Sequence, residues 1–475
     1  MLNTLNDVLN NVDNFIWGMP LIILILFTGI LLTVRLRGLQ VRHLGKALHY
    51  VFHNEDDGEG EVTSFGALCT ALSATIGTGN IVGCATAIVA GGPGALFWMW
   101  LAAFFGMATK YAEGMLAVKY RVIAEDGHAL GGPFYYIEKG MGKNFKWLAK
   151  LFCVFGTMVG LFGIGTFTQV NGITSAVNNF FDPSNVHMIS LFGRNYSISV
   201  VVAGIIVTIC AGLVIIGGIK RISKVSEVIV PFMAVTYIGV CLIIVFTHLP
   251  QVPAAFAEIV QSAFGLKAVA GGAIGAMTVA MQKGIARGIF SNEAGLGSAP
   301  IAAAAAQTNE PVRQGLVSMT GTFIDTIIVC TMTGLAIVMT GAWDMGLEGV
   351  AVTTKAFALG LPFPAKASAF ILMMCLVFFA FTTILGWAYY SERCLEYLVN
   401  GKKFVITAFK WLYILAVFIG PFMTVSAVWT IADICNGLMA FPNLVAMIAL
   451  NGDVVSETRG YLERVGIVKT TVGEA

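Results

Sequence analysis

The residues whose types and spacing could do chemistry lie in one short stretch. Residues 73–83 read SATIGTGNIVG, with Gly77 and Gly79 on either side of Thr78, Asn80 next and Gly83 after, all in the middle of an otherwise apolar run. A glycine inside a helix costs about 1 kcal/mol relative to alanine. In lipid, backbone groups released from a helix have no water to turn to. A run that carries both penalties at mid-membrane predicts an unwound segment facing a cavity. Such a break presents free amide N–H groups at the positive start of the second half-helix, which suit a carboxylate. It presents free carbonyls at the end of the first half, which suit Na⁺. One break can thus hold an amino acid and its coupling ion together. The competing reading is that these small residues let helices pack closely. That reading suits Gly83 better than the 77–80 cluster. The GxGxxxG spacing inside an apolar run does not match a dinucleotide-binding turn.

Few other polar residues interrupt the apolar runs. Gln169 and Asn171 fall in TFTQVN (166–171), Asp325 stands alone in its run, and Thr382, Thr383 and Trp387 share another. Thr383 and Trp387 are one helical turn apart on one face. A lone threonine commonly bonds its own helix backbone, but a pair on a helix facing the break is a candidate ligand set. Asp325 is an intramembrane carboxylate, which marks a functional candidate or a neutral, packed acid. A second glycine cluster, GGAIG at 271–275 with Gly284 beyond, predicts a second broken helix.

These groups need elements to hold them, and composition says which kind. Apolar residues make up 57% of the 475-residue chain and charged residues only 11%, with a mean hydropathy of +0.82. A water-soluble chain of this size would have about a quarter charged residues to cover its surface. Runs of roughly 20 apolar residues, each enough to cross about 30 Å of hydrocarbon, fall at 16–34, 64–90, 94–118, 150–179, 197–217, 227–248, 268–289, 314–340, 367–390, 404–422 and 424–449. The expected fold is therefore an all-α polytopic membrane protein of about eleven transmembrane helices. The stretch 253–265 is amphipathic and is expected to lie on the surface.

With the N-terminus outside, 24 of the 28 lysines and arginines fall on the cytoplasmic side, and only Arg194, Lys267, Lys355 and Lys366 fall on the other. That bias fits a multi-pass protein of the cell membrane with its C-terminus in the cytoplasm. The first apolar run has no basic residue before Arg35, unlike a signal peptide, and is expected to stay in the mature protein. The second span then runs inside to outside and the seventh outside to inside, as an inverted five-plus-five repeat requires. The chain divides into an extra N-terminal helix (16–34), a first five-helix repeat (64–248), a second (268–449) and a cytoplasmic tail (450–475), together one transporter domain.

Several function classes are excluded. A net charge of +2 with no basic, aromatic-interleaved stripe argues against nucleic acid. The nine cysteines show neither CxxC pairing nor metal-ligand spacing. No HExxH, GxSxG or Walker A motif supports a membrane enzyme or an ATP-driven pump. A channel would need a ring of ligands from identical subunits, whereas this chain is long and asymmetric.

Two further segments carry a resemblance. GGPGALFWMW (91–100, continuing through Gly106) and GIFSNEAGLGSAP (288–300) are similar to the two hallmark sequences of the alanine or glycine:cation symporter family. That resemblance implies the leucine-transporter fold of the amino acid/polyamine/cation superfamily with one added N-terminal helix. It implies Na⁺, or H⁺ in some members, as coupling ion, and no other cofactor. Its implied cargo is a small neutral amino acid, alanine or glycine, with membrane lipid as the surrounding partner. By that likeness the amides of Thr78, Gly79 and Asn80 contact substrate, and Gln169 takes part of the role of a tyrosine that this chain lacks. Ile274 and Met277 on the seventh span, with Thr383 and Trp387 on the ninth, bound the side-chain space. Carbonyls of Ser73 or Ala74, Ile76 or Gly77, and Phe379, with the hydroxyls of Thr382 and Thr383, form the Na⁺ site, since hard cations take oxygen ligands.

Overall fold

The Thr63 side chain accepts a hydrogen bond from the Gly66 amide (2.9 Å) and so starts the helix that leads into the glycine cluster. In the computed structural model, which describes residues 2–53, 58–125, 127–191, 194–265, 272–423 and 426–466, almost every apolar run becomes helix. In chain order these are α1 (Leu2–Ile16), α2 (Met19–Arg35), α3 (Ser64–Thr75), α4 (Gly79–Gly91), α5 (Gly94–Lys119), α6 (Lys146–Phe162), α7 (Phe167–Phe181), α8 (Ile198–Ile215), α9 (Gly218–Thr247) and α10 (Val252–Ala263). The second half supplies α11 (Ala273–Asn292), α12 (Ala299–Ala303), α13 (Pro311–Met339), α14 (Val350–Gly360), α15 (Ala365–Leu398), α16 (Lys403–Ile419), α17 (Ser426–Ala449) and α18 (Asn451–Arg464). Two short antiparallel hairpins, Val122–Ile123 with Ala129–Leu130 and Met188–Leu191 with Arg194–Ser197, complete it.

Among the described residues, eight helical stretches are long and apolar enough to cross a membrane, and the pair α3–α4 makes a ninth if its two halves count as one span. The two other expected spans coincide with α5 and α11. Both carry charge that lowers their hydropathy: Lys110 and Glu113 on α5, Lys283 and Arg287 on α11.

The first break lies where the glycines predict it. α3 ends at Thr75, α4 begins at Gly79, and the two axes diverge by 51°. The second break differs from expectation. Gly275 sits inside continuous helix, and Gly271 lies outside the described residues. The seventh span unwinds about twenty residues later, at 293–298. There Glu293 adopts a left-handed conformation (φ 55°), followed by Gly295 (φ 88°) and Gly297 (φ 81°). Glycine takes these angles without penalty, and a buried acid holds them in place. Glu113 Oε1 accepts from the Gly295 amide (3.1 Å) and from Asn443 Nδ2 (2.6 Å), and Asn443 Nδ2 also donates to the Gly295 carbonyl (2.9 Å). The freed backbone groups thus find partners inside the protein, as membrane depth demands.

Lys283 and Arg287 belong to α11 ahead of the break, and Lys110 is buried mid-helix on α5. Three of the basic residues that the sequence count assigned to the cytoplasmic side are therefore within helices.

Two other features were not expected. The fourth span is interrupted between α6 and α7, where the Tyr413 hydroxyl donates to the Gly165 carbonyl (2.7 Å). The tail folds as α18 and docks on the bundle through Tyr111–Thr458 (2.6 Å), Tyr50–Tyr461 (2.6 Å) and Arg464–Glu310 (2.8 Å). Three described stretches take wider, π-type turns: 79–83, 136–141 and 323–330, the last containing Asp325. Such turns often sit at functional sites.

Candidate functional site

In a regular helix the Gly77 amide would bond the carbonyl of Ser73. Here it donates to Asn80 Oδ1 (2.9 Å), which leaves Ser73 without its helical donor. Asn80 is fully buried, and its Nδ2 donates to Asp325 Oδ1 (2.7 Å) and to the Asp325 carbonyl (3.2 Å). Asp325 Oδ2 accepts from Ser291 Oγ (2.9 Å) and Thr326 Oγ1 (2.7 Å). The first break is therefore pinned to the last turn of α11 and to the π-type turn of α13. Asn80 is a bracket for the backbone, and its side chain faces away from the open cavity.

α15 closes against the other side of the break. A methyl group placed on Gly386 would come within 2.7–2.9 Å of Ala74, so α15 and α3 touch almost backbone to backbone. A methyl on Gly77 would lie 2.5 Å from Thr383 Oγ1 and 3.7 Å from Gln169 Oε1. Gly77, Thr383 and Gln169 thus meet at one point. Gln169 Oε1 is buried there and, among the described residues, has no hydrogen-bond partner. Thr383 Oγ1 donates to the Phe379 carbonyl (3.0 Å), and Thr382 Oγ1 lies 3.0 Å from the same carbonyl and 3.1 Å from that of Phe378. Each hydroxyl keeps lone pairs free. The corner therefore sets hydroxyl and carboxamide oxygens beside the backbone of the break, where α3 and α15 nearly touch. That donor set suits a monovalent hard cation.

Above this corner a cavity of about 390 Å³ opens, lined by Thr78, Gly79, Val82, Gly83 and Thr86 of the break and α4. Thr168, Asn171, Gly172 and Ser175 of α7, Arg287 and Phe290 of α11, Val350, Leu376 and Asp433 close its other walls. Its floor is narrow: a methyl on Gly172 would lie 3.0 Å from Thr78 Cγ2.

Away from this cavity, the segment after α12 is tied to the end of α5. Arg121 donates to the carbonyls of Ala304 (3.0 Å), Ala306 (2.6 Å), Thr308 (2.7 Å) and Glu59 (2.5 Å). The backbone of Val62 pairs with the segment after α12, through Val62 N to Ala305 O (3.1 Å) and Gln307 N to Val62 O (2.8 Å).

The structure sets Gly77 against Thr383 and Gln169, Ala74 against α15 at Gly386, and Thr78 and Gly79 in the cavity wall, while the Thr382 hydroxyl lies 3.6 Å from Met233 Sδ on α9. Three expectations need correction. Ile274 is 76% exposed, and it lies 17 residues, roughly 25 Å of helix, from Ser291, the α11 residue beside Gly79. Met277 sits less than one turn further along. Neither reaches the site, because the break they were expected to flank lies elsewhere. Trp387 is fully buried beneath the corner, where Nε1 donates to Glu293 Oε1 (3.0 Å), and it does not line the cavity. Gly79 has helical backbone. A methyl there would meet Ser291 Cα at 3.4 Å and Phe290 Cδ1 at 3.6 Å, ordinary contacts.

Residues the sequence reading did not place at the site are Phe290, Ser291, Arg287, Asp433 and Glu293. The unusual run 288–300 was visible as a motif, but its role as the second break depends on Glu113, Asn443 and Trp387, all remote in sequence. Lys110, also buried on α5, is the cation within electrostatic reach of Glu113, Glu293 and Asp325. It offsets part of their charge.

The sodium:alanine symporter family matches residues 2–472. An uncharacterized transporter of Haemophilus influenzae is 55% identical over 466 residues, covering 98% of each chain. The sodium/alanine symporter AgcS of Methanococcus maripaludis is 45% identical, covering 96% of this chain and 97% of that one. The crystal structure of MhsT in complex with L-phenylalanine superposes with a TM-score of 0.57 at 12% identity, over 84% of this chain and 93% of that chain. That likeness shows the leucine-transporter fold. Two broken helices around a membrane-embedded corner, the fold and the whole-length match agree: the chain belongs to the sodium:alanine symporter family and is a multi-pass, cation-coupled amino acid symporter rather than an enzyme.

Proposed function

We propose that the chain couples Na⁺ influx to uptake of a small neutral amino acid, alanine or glycine, by alternating access. The observation that carries this reading is the meeting of Gly77, Thr383 and the unpartnered Gln169 Oε1 directly beneath a cavity floored by Thr78 and Gly79. The Thr78–Asn80 backbone is proposed to receive the carboxylate, and Gln169 Oε1, an acceptor, suits the ammonium group. Na⁺ is proposed to sit between the carbonyls of Ser73 or Ala74, Ile76 or Gly77, and Phe379, and the hydroxyls of Thr382 and Thr383. Because those ligands come from both α3 and α15, the ion would cross-link them and favour the state open at the cavity. The narrow floor at Thr78 and Gly172 supports a small side chain. The N-terminus is proposed to face outward, on the cavity side, and the Arg121 strap to close the cytoplasmic side.

The test is uptake into liposomes holding the purified protein. An inward Na⁺ gradient should drive accumulation of alanine and glycine, and collapsing that gradient with an Na⁺ ionophore should abolish it. Accumulation that ignores Na⁺, or that favours leucine over alanine, would reject the reading.

A further inference from the structure

The helix ahead of the transport core brings a charge to the mouth of the cavity. α1 packs along α17. Trp17 Nε1 donates to the Asp433 carbonyl (3.0 Å), and a methyl on Gly437 would come within 2.5 Å of Ile16. The Asp13 carbonyl accepts from the Trp17 amide (2.9 Å), so Asp13 lies one turn from this contact with α17. Asp13 Oδ1 is buried and accepts no hydrogen bond among the described residues, a costly condition for a carboxylate oxygen unless a cation is close. The cation is Arg287, which lies within electrostatic reach of both Asp13 and Asp433. Its guanidinium stacks over Phe290, 5.6 Å from the ring centre, and lines the cavity with Asp433. Lys283, one turn further out on α11, is exposed and outside the electrostatic reach of Asp13 and Asp433.

Counting charge at the mouth, Arg287 is balanced by Asp433, and Asp13 leaves one negative charge over. We infer that Asp13 is a specificity-determining residue: it makes the outer vestibule net negative, so that acidic amino acids are repelled there while zwitterions pass. A zwitterion meets Arg287 with its carboxylate and Asp433 with its ammonium and carries no net charge to repel. An acidic amino acid carries a second carboxylate into the same field, with only one cation to meet two anions. Low-dielectric walls strengthen this discrimination relative to bulk water. The inference rests on the amino acid reading above, but it concerns the mouth and not the corner beneath.

The experiment compares glutamate with glutamine, which have the same shape and differ in charge, as competitors of Na⁺-driven alanine uptake in liposomes. In Asp13→Asn the ratio of inhibition constants, glutamate over glutamine, should fall on the order of tenfold, the effect of one charge roughly 10 Å away at an intermediate dielectric constant. The KM for alanine should stay within about twofold, because alanine is neutral and Asp13 does not touch the corner. Asp13→Glu should keep the wild-type ratio, and 0.5 M salt should shrink the difference between wild type and Asp13→Asn. An unchanged ratio in Asp13→Asn overturns the inference. So does an equal shift for both competitors that Asp13→Glu fails to restore, since that marks Asp13 as a packing residue of α1. A wild-type protein that transports alanine but shows no change of ratio in the variant rejects the filter alone. A wild-type protein that takes up no amino acid rejects the functional reading and the filter together.

Discussion

Gly77 and Gly79 look interchangeable in the sequence but not in the structure, and the contrast tests the site. In Gly77→Ala the new methyl would lie 2.5 Å from Thr383 Oγ1, far inside normal contact. Thr383 cannot swing away freely: it is β-branched, 1% exposed and held on a buried face of α15. Forcing one methyl into a packed interior costs about 1–3 kcal/mol. If that strain appears as displaced ion ligands, the Na⁺ concentration for half-maximal uptake should rise roughly five- to 150-fold, since 1.4 kcal/mol is a factor of ten. In Gly79→Ala the methyl meets its neighbours at 3.4 Å or more, in a helical segment where alanine is preferred over glycine. Its yield should match wild type and its Na⁺ requirement should change little. Thr383→Ser keeps a hydroxyl but frees its rotation, so adding it to Gly77→Ala should recover part of the loss, a non-additivity expected of residues in contact. The assay is Na⁺-dependent alanine uptake at matched folded yield from size-exclusion chromatography. Wild-type Na⁺ dependence in Gly77→Ala, or equal damage from both alanine substitutions, would refute the placement of the corner.

Three other outcomes follow from the same geometry. Thr382→Ala combined with Thr383→Ala removes two of about five proposed ligands; the half-saturating Na⁺ concentration should rise at least tenfold while folded yield holds, and an unchanged Na⁺ curve rejects the ligand set. Asp325→Asn disturbs the acceptor that fixes Asn80 and hence the Gly77 amide; alanine affinity and Na⁺ affinity should fall together, by about tenfold for a loss near 1.5 kcal/mol, and wild-type values for both count against the bracket. Arg121→Lys exchanges a fork spanning four carbonyls for a point charge; cysteines introduced at Ala303 should be labelled faster from the strapped side, and an unchanged labelling rate speaks against that strap.

How much of this was legible in the sequence depended on whether its cause was local. The helices follow from apolar runs whose lengths answer to hydrocarbon thickness, and nothing distant is needed to see them. The first break is equally local, because the Asn80 side chain takes the Gly77 amide from three residues away. The second break is not. GGAIG at 271–275 resembles the first cluster in glycine content, yet Gly275 takes part in ordinary helix and a methyl there would meet nothing within 4 Å. The true break is set by partners 182, 148 and 94 positions away: Glu113 for the Gly295 amide, Asn443 for the Gly295 carbonyl, and Trp387 for the Glu293 carboxylate. No reading of the 293–298 segment alone could supply those partners.

A single misplaced break then propagated. With the break expected at 271–275, the likeness put Ile274 and Met277 beside the side-chain space, and Lys283 and Arg287 were counted as cytoplasmic charges although the expected span 268–289 contains them. With the break at 293–298, the same helix carries Arg287 into the cavity and leaves Ile274 exposed at its far end. The charge-bias rule counts residues near span ends, so a charge buried for function enters the count as if it were a topology signal. Lys110 shows the same confusion on α5, where it faces buried carboxylates. In a membrane chain with so few charges, those inside the spans are better read as site residues first and as topology signals only after a structural role has been excluded. On that order of reading, Asp325, Glu113, Glu293, Lys110 and Arg287 form one group: Glu293 opens the second break, and the other four lie on α5, α11 and α13.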